Sequence, residues 1–400
     1  AQPLKGIVIR DTWVNLERAL AVETLVLTPT GWVKAADVGA RDLLIAADGS
    51  VTRVLGVYPQ PAQQIWRVQF SDGTSARVTG DHAWAVRGRW DRERPGPRNR
   101  RCRREGRLPA GDGLRIVTTD ALREILTVAR RRQPAWEIPL VGPVQFPPRP
   151  VPLDPYLLGV LLGDGNFTQV STRLSTADHE IAAMVRDRLP DGIQLARTNR
   201  YDYRLSGHRS RKNPVRQALI ALGLAGLRSP DKFIPDLYLW NDPQTRLQVL
   251  RGLMDTDGSA SADRGACFTS SSERLVEGVE FLVRSLGGIT RRLSPRMSKS
   301  HMLRGRWVTA KHPGLQVTIQ MPPGLNPFSL ARKADRLTGR RRVPHRFVVG
   351  VKPDGFGPAV CFRVEHPAHL FAVNDFILTH NTVIETLLEG VGRGWWDAEF

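Results

Sequence analysis

One pattern occurs twice in these 400 residues, and it constrains the fold more than any other feature. DPYLLGVLLGDGNF (154–167) precedes RLSTADHEIAAMVRDRLPDGI (173–193), and DPQTRLQVLRGLMDTDGSA (242–260) precedes CFTSSSERLVEGVEFLVRSLGGI (267–289). In each copy an apolar helix stops at Asp-Gly, strand residues follow, and a Ser/Thr-capped amphipathic helix closes at Gly-Ile. The matching aspartates, Asp164 and Asp257, lie 93 residues apart. Such a duplication implies a pseudo-twofold axis, which suits the roughly twofold symmetry of a duplex. Gly159 and Gly163 share one helix face, as do Gly252 and Thr256. Small residues at that spacing let two helix backbones approach closely, which brings Asp164 and Asp257 together. Asp-Gly read merely as a helix stop accounts for the glycines. It does not account for a carboxylate placed twice at the unfavourable negative end of a helix dipole. Paired carboxylates at such a junction suit Mg²⁺ shared with DNA phosphates.

Outside the repeat the pattern is β. From Thr24 to about Val86 run TLVLT, WVKAADV, DLLIAA, TRVLGVY, IWRVQF and ARVTGDHAWAV, with Asp48-Gly49 and Asp72-Gly73 as hairpin turns. Thr119-Asp120 caps a helix from Ala121 to about Arg131. Seven prolines from Pro139 to Pro155 mark a stiff boundary. Short strands return from Arg346 in RFVVGVK, AVCFRVE and HLFAVNDFILTHN. A β body is therefore split by the repeat. Residues 1–18 read as a strand, a turn and the start of a helix, and the final 19 residues read as helical.

Charge narrows the partners. Lys and Arg number 58 against 39 acids, a net +19, and the excess is clustered. Residues 87–107 hold ten arginines, and Arg291, Arg292, Arg296, Lys299, Arg304 and Arg306 form a run without an acid. Arg332, Lys333, Arg336, Arg340, Arg341 and Arg342 form a third. One such run is usually a solvated loop; three favour phosphate backbones, and double-stranded DNA is the expected partner. No apolar run reaches the roughly 20 residues a membrane span needs, and the first 18 residues lack the core of a secretory signal. Three scattered cysteines fit neither a disulfide framework nor a Cys-rich zinc site. A cytoplasmic monomer with no membrane partner is expected.

Two resemblances become specific at this point. LRGLMDTDG (250–258) closely resembles the signature of LAGLIDADG homing endonucleases, and LLGVLLGDG (157–165) is a looser first copy with Leu162 in place of the earlier acid. The resemblance implies catalytic, metal-binding roles for Asp164 and Asp257. KFIP (232–235) is similar to the family's lysine motif, which implies a role for Lys232 near the scissile phosphate; Lys311 is the candidate for its symmetric partner. Tyr201, Tyr203, Arg204, His208, Arg209, Arg211 and Lys212 are expected to line a DNA-facing sheet.

The ends of the β body carry a different chemistry. Thr79-Gly80-Asp81-His82 closes a strand, and His380-Asn381-Thr382 stands at the C-terminal junction. An asparagine can cyclise on its own carbonyl and break the next peptide bond, with a neighbouring histidine moving the proton. The hydroxyl of Thr382 can first accept an acyl group. With the split strands and the inserted repeat, these residues resemble an intein over residues 19–381. The implied fold is multidomain: an all-β Hint splicing horseshoe split by an inserted α+β LAGLIDADG endonuclease with a pseudo-twofold repeat. The implied boundaries are an N-extein segment at 1–18, Hint parts at 19–150 (with an Arg-rich loop at 87–110) and 331–381, the endonuclease at 151–330, and a C-extein segment at 382–400.

Ala19 stands where most inteins have a nucleophilic Cys or Ser. Two readings are open. One is an element of the usual kind, inactivated because Ala19 replaces its first cysteine. The other is a resemblance to class three inteins, which use an internal cysteine with a dispersed Trp, Cys and Thr. Trp84, Cys361 and Thr379 fall in the expected blocks and favour the second reading. It implies that Cys361 attacks the Arg18 carbonyl, with Thr79 and His82 acting on the Arg18–Ala19 peptide. Thr379 and Trp84 orient Cys361, and the acyl group passes to Thr382. Asn381 then cyclises with His380 and His369 assisting. Splicing needs no cofactor; the nuclease needs Mg²⁺. A degenerate, DNA-binding-only nuclease and autoprocessing without ligation are the competing readings. The joined flanks, GIVIRDTWVNLERTVIETLLEG, resemble a phage terminase large subunit, implying a phage-infected bacterial host and cleavage of the uninterrupted host gene.

Overall fold

The computed structural model describes residues 6–9, 12–15, 18–88, 114–128, 136–169, 171–207, 213–262, 265–295, 297, 301–303, 306–308, 312–337 and 343–380. Internal packing divides the chain into Ala1–Val144 with His345–Phe400, and Gln145–Pro344. The sequence places these boundaries at 150/151 and 330/331. Residues 331–337 stay with the inserted unit because Leu330 is buried in its core and Lys333 bonds to its main chain.

The first unit contains β1 (Gly6–Ile9), β2 (Thr12–Asn15), β3 (Leu20–Ala21), β4 (Leu25–Thr28), β5 (Gly31–Lys34) and β6 (Leu43–Ile45). These are followed by β7 (Val51–Phe70), β8 (Ser75–Thr79), β9 (Ala83–Gly88), β10 (Arg115–Thr118), α1 (Thr119–Val128) and β11 (Trp136–Ile138). The second unit opens with α2 (Pro155–Asp164), β12 (Gly165–Asn166), β13 (Arg173–Ser175), α3 (His179–Arg186), β14 (Gln194–Arg197), β15 (Asp202–Ser206), α4 (Pro214–Ala221) and α5 (Asp236–Leu239). Its second half holds α6 (Pro243–Asp257), β16 (Gly258–Ser261), β17 (Gly265–Ser270), α7 (Glu273–Ser285), β18 (Ile289–Arg292), β19 (His301–Leu303), β20 (Arg306–Val308), β21 (Leu315–Gln320) and α8 (Ala331–Ala334). The chain re-enters the first unit as β22 (Arg346–Val364), β23 (Leu370–Val373) and β24 (Ile377–His380).

Three local expectations change. Thr12–Asn15 is a strand paired with β1, not the start of a helix. The two short segments expected at 52–58 and 65–70 are one strand, β7, and those expected at 346–352 and 359–365 merge into β22. These two strands run antiparallel with four register shifts, one between Pro353 and Phe356. Bulges absorb the Pro and Gly residues that read as breaks in the sequence. Finally, Thr118 rather than Thr119 caps α1: its Oγ1 accepts the Ala121 N–H at 3.2 Å. The helix expected after Thr382 and most of the Arg-rich loop lie outside the described residues.

The β body is an eight-stranded sheet in the order β10-β9-β11-β22-β3-β8-β7-β6, and a four-stranded sheet, β24-β23-β4-β5. Both expected hairpin turns form, with Gly49 and Gly73 at φ 87° and 88°. Val26, Leu44, Val68, Trp84, Phe362, Phe371 and Ile377 share the core. A smaller cluster holds Ala19, Ala21, Ile65, Ala359 and Cys361, with Tyr58 packed against it.

The inserted unit repeats itself as its sequence does. Each long helix begins at Asp-Pro: Asp154 accepts the Leu157 N–H, and Asp242 accepts those of Gln244 and Thr245. Each leads into a four-stranded sheet, β12-β13-β15-β14 or β16-β17-β21-β18. Asp178, not a Ser or Thr, caps α3, whereas Ser272 caps α7. Helices α2 and α6 cross at the expected small residues. A Cβ on Gly159 would lie 2.3 Å from the Val249 carbonyl oxygen, and one on Gly252 would lie 2.4 Å from that of Tyr156. Only hydrogen fits there. Leu157, Leu161, Leu250 and Leu253 are fully buried around the crossing, each contributing about 2 kcal/mol.

Candidate functional site

Each unit gathers its own set of reactive groups. In the β body, β3 pairs Leu20 with Val78 on β8 and with Val360 on β22, so Ala19, Thr79 and Cys361 converge at the strand ends. Thr79 Oγ1 accepts the Ala19 N–H at 3.0 Å, and the Thr79 N–H donates to the Ala19 carbonyl at 3.0 Å. The nitrogen held by that threonine belongs to the Arg18–Ala19 peptide. Cys361, 3% exposed, shares the small apolar cluster with Ala19.

His82 is buried beside this junction. Its Nε2 is hydrogen-bonded to the Thr379 hydroxyl, and its ring meets Trp84 edge-on with centroids 5.2 Å apart. Its Nδ1 has no hydrogen-bond partner among the described residues. Burial, and then the charges of His380 and Arg18, push its pKa down to about 3. His82 is therefore neutral at pH 7, with one nitrogen uncommitted. Thr379 and Trp84, expected on Cys361, are thus placed against the histidine. The register of a hairpin of two four-residue strands sets this: β23 pairs Phe371 with Thr379 and Leu370 with His380. The His369 and His380 rings lie 6.2 Å apart, and His369 adopts φ 53°. Asn381 and Thr382 lie outside the described residues.

Thr119 is the residue the motifs missed. Fully buried, its Oγ1 accepts the Trp84 indole N–H at 3.0 Å and donates to the His82 carbonyl at 3.2 Å. Nothing in the local sequence distinguishes it from a helix-capping threonine.

In the inserted unit Asp164 and Asp257 end α2 and α6, at the foot of the crossing. A Cβ on Gly163 would fall 3.3 Å from the Asp257 Oδ2. Burial, and then the Asp257 charge, raise the Asp164 pKa to about 6, and burial raises that of Asp257. Lys232 Nζ donates to the carbonyls of Leu162 (2.8 Å), Gly163 (3.1 Å) and Gly165 (2.8 Å) at the end of α2. Lys333 Nζ does the same at the end of α6, to Met254 (3.1 Å), Asp255 (2.7 Å) and Gly258 (2.7 Å). Each ammonium also lies over a phenylalanine ring, Phe167 for Lys232 and Phe328 for Lys333. Lys333 therefore fills the symmetric position for which Lys311, outside the described residues, was the candidate. Their positions late in each half were the available signal, hidden because Lys333 sits in a basic run. Burial lowers the Lys232 pKa to about 8 and that of Lys333 in the same direction.

The first acid of MDTDG has a different task. Asp255 is buried, accepts the Tyr156 hydroxyl at 3.0 Å and the Ser329 and Leu330 N–H groups at 3.2 Å, and so anchors the segment leading to Lys333. Tyr203, expected on a DNA-facing sheet, is 2% exposed in the core, whereas Arg204 beside it points outward. Strand alternation separates the two. His208, Arg209, Arg211 and Lys212 lie outside the described residues.

Comparison with known proteins follows the same division. Residues 244–312 match the LAGLIDADG-like domain family. A relative named replicative DNA helicase DnaB, from Mycobacterium intracellulare, is 27% identical over 384 residues, covering 92% of this chain and 59% of the relative. The chain thus spans about three fifths of that relative's length. A crystal structure of the MchDnaB-1 intein is 13% identical over 91% of this chain and 100% of its own, with a TM-score of 0.27. The homing endonuclease I-DmoI, crystallised with DNA and Ca, is 13% identical over 42% of this chain and 82% of its own, also with a TM-score of 0.27. The terminase expected from the flanks is not supported, because the curated relative is named as a helicase. Among the described residues no helix is long and apolar enough to cross a membrane. The chain carries an α+β unit, duplicated within itself and matching the LAGLIDADG-like domain family over residues 244–312, inserted into a split all-β body.

Proposed function

We propose that residues 19–381 are a self-splicing element that excises itself and joins Arg18 to Thr382, with Cys361 as the first nucleophile. The observation that carries this reading is the hydrogen bond from the Ala19 N–H to Thr79 in a site that also holds Cys361 and neutral His82. The Cys361 sulfur attacks the Arg18 carbonyl carbon as its thiol proton is lost, the bond to the Ala19 nitrogen breaks, and that proton, relayed through His82, goes to the leaving nitrogen. Thr79 holds the leaving nitrogen. The Thr382 hydroxyl then displaces the thiolate, giving an ester. Asn381 cyclises on its own carbonyl, assisted by His380 and His369, and releases the Thr382 amine. That amine attacks the ester and leaves an amide between Arg18 and Thr382. Mass measurement of the chain expressed with native flanks tests this. Excised and ligated products are expected, and neither with Cys361→Ala; a requirement for Cys at position 19 would overturn it.

The inserted unit is proposed as a divalent-metal-dependent, site-specific endonuclease. Two half-buried carboxylates, the charge of Asp257 raising the cost of ionising Asp164, form a hard oxygen donor pair, which fits a cation such as Mg²⁺. Asp164 and Asp257 would hold it, and when bound it supplies charge for the leaving oxygen and for the attacking water. Lys232 and Lys333 hold the helix ends in place and keep positive charge beside the phosphates. The proposed target is the uninterrupted host sequence at the Arg18/Thr382 junction. Incubating a plasmid carrying that junction with protein and Mg²⁺ should give a single cut. Binding without cutting would leave a degenerate nuclease.

A further inference from the structure

Thr119 lies outside every sequence motif, yet its place beside the proposed splicing residues is set by strand register. β10 pairs antiparallel with β9, with Val117 opposite Trp84 and Thr118 opposite Ala83, so the next residue falls opposite His82. The Thr119 N–H donates to the His82 carbonyl at 2.9 Å, and its hydroxyl donates to the same oxygen at 3.2 Å. The hydroxyl also accepts the Trp84 indole N–H at 3.0 Å. Trp84 in turn presents its ring to the imidazole, with an interplanar angle of 77°. One step further along α1, the Asp120 N–H donates to the Gly80 carbonyl at 2.9 Å, holding the other end of the turn that carries His82. Leu122 on the next turn of α1 is fully buried and ties the helix to the core. The hydroxyl thus reinforces the main-chain bond to His82 and holds the aromatic wall against which its ring stands.

We infer that Thr119 is a positioning residue for His82 in the first step of the splicing reaction, an inference that rests on that reading. The hydroxyl acts through His82. Without it the buried Trp84 indole N–H loses its partner, and the aromatic wall beside the imidazole is held less firmly in its orientation. A shift well under 1 Å at a proton-transferring group is costly in rate.

The test uses the full chain with native flanks. Thr119→Val keeps the side-chain shape without the hydroxyl; Thr119→Ser keeps the hydroxyl without the methyl. Cleavage at Arg18–Ala19 is followed with hydroxylamine as the trap. Cleavage after Asn381 is followed separately in chains that also carry Cys361→Ala. Thr119→Val is expected to slow the first step about tenfold or more and Thr119→Ser less than about threefold. Cleavage after Asn381 is expected to stay within about twofold. Trp84→Phe, which removes the indole N–H but keeps a ring, should slow the first step by about three- to fivefold. The His82 ring resonances should move in Thr119→Val and return in Thr119→Ser. Wild-type speed in Thr119→Val, equal slowing by Val and Ser, or parallel slowing at both junctions would overturn the inference. An unsubstituted chain that cleaves no faster than its Cys361→Ala variant would instead overturn the splicing reading, and the inference with it.

Discussion

His82 is buried and Asp164 half-buried, and their pKa values move in opposite directions. Burial holds the histidine neutral and pushes its pKa down to about 3, while burial and the Asp257 charge push the aspartate up to about 6. Around His82 the direct contacts are neutral, namely the Thr379 hydroxyl, the Trp84 edge and the Thr119 bonds to its carbonyl, and the nearby charges, His380 and Arg18, are both basic. Around Asp164 the crossing supplies a second acid and two lysines. The first arrangement suits the movement of a proton within a dry site; the second stores repulsion that a divalent cation can relieve. The difference teaches that burial alone does not define a reactive site. What faces the withdrawn group decides whether it suits proton transfer or a cation.

The sharpest way to break this comparison is to remove one member from each site. Cys361→Ala should abolish splicing, and Asp257→Asn should lower DNA cleavage about a thousandfold or more while leaving DNA binding largely intact. Each should leave the other activity at its original rate. Product masses and plasmid cleavage measured on both variants check this, and cross-inhibition would show that the sites are not separate.

Next in size is the helix crossing. Gly252→Val sets a side chain against the Tyr156 carbonyl oxygen, only 2.4 Å from its Cβ, and should destabilise the inserted unit by about 3 kcal/mol. Denaturant unfolding should show one transition displaced and splicing unaltered. Lys232→Met and Lys333→Met probe the symmetry within the inserted unit, because each lysine closes its own helix end. Each should slow cutting of one strand about tenfold, so that nicked plasmid accumulates. Equal slowing of both strands would show that the halves act as one.

The smallest effect separates the two sites by sign. His82 has a depressed pKa, so the unfolded chain binds the extra proton between about 3 and 6.5. Stability from this group is present above pH 6.5 and is lost as pH falls toward 3. Asp164 has a raised pKa, so its contribution is present below about pH 3.8 and is lost as pH rises through about 6. Without divalent cations, calorimetry from pH 4 to 7.5 should show the β-body transition rising by a few degrees and the inserted-unit transition falling. His82→Gln should flatten the first and Asp257→Asn should reduce the second. Adding Mg²⁺ should raise only the inserted-unit midpoint, and most strongly above pH 6.

Much of the candidate chemistry was legible because it is carried by short local patterns. A helix ending in Asp-Gly after small residues four apart announces a close crossing, and duplication announces it twice. Lys333 was not legible as the partner of Lys232: it sits in a run of basic residues, and only the fold shows which of them reaches a helix end. Thr119 reads as a capping residue, since its bonds to Trp84 and His82 arise from the β9–β10 register across a connection of more than twenty residues. The task of Asp255, the first acid of MDTDG, shows only in its bonds to Tyr156, Ser329 and Leu330.

The sequence by itself determined the split β body, the duplicated inserted unit and the approach of Asp164 to Asp257, which follow from periodicity, turn residues and motif spacing acting over a few neighbouring residues. Cys361, His82 and Thr79 became candidates only through the resemblance to a known family. Tertiary structure alone decided that Thr379 and Trp84 serve His82 and that Lys333 completes the second half. It also decided that β7 and β22 run through their prolines and glycines. These outcomes depend on strand register and on which distant groups share a dry interior, and a local pattern carries neither.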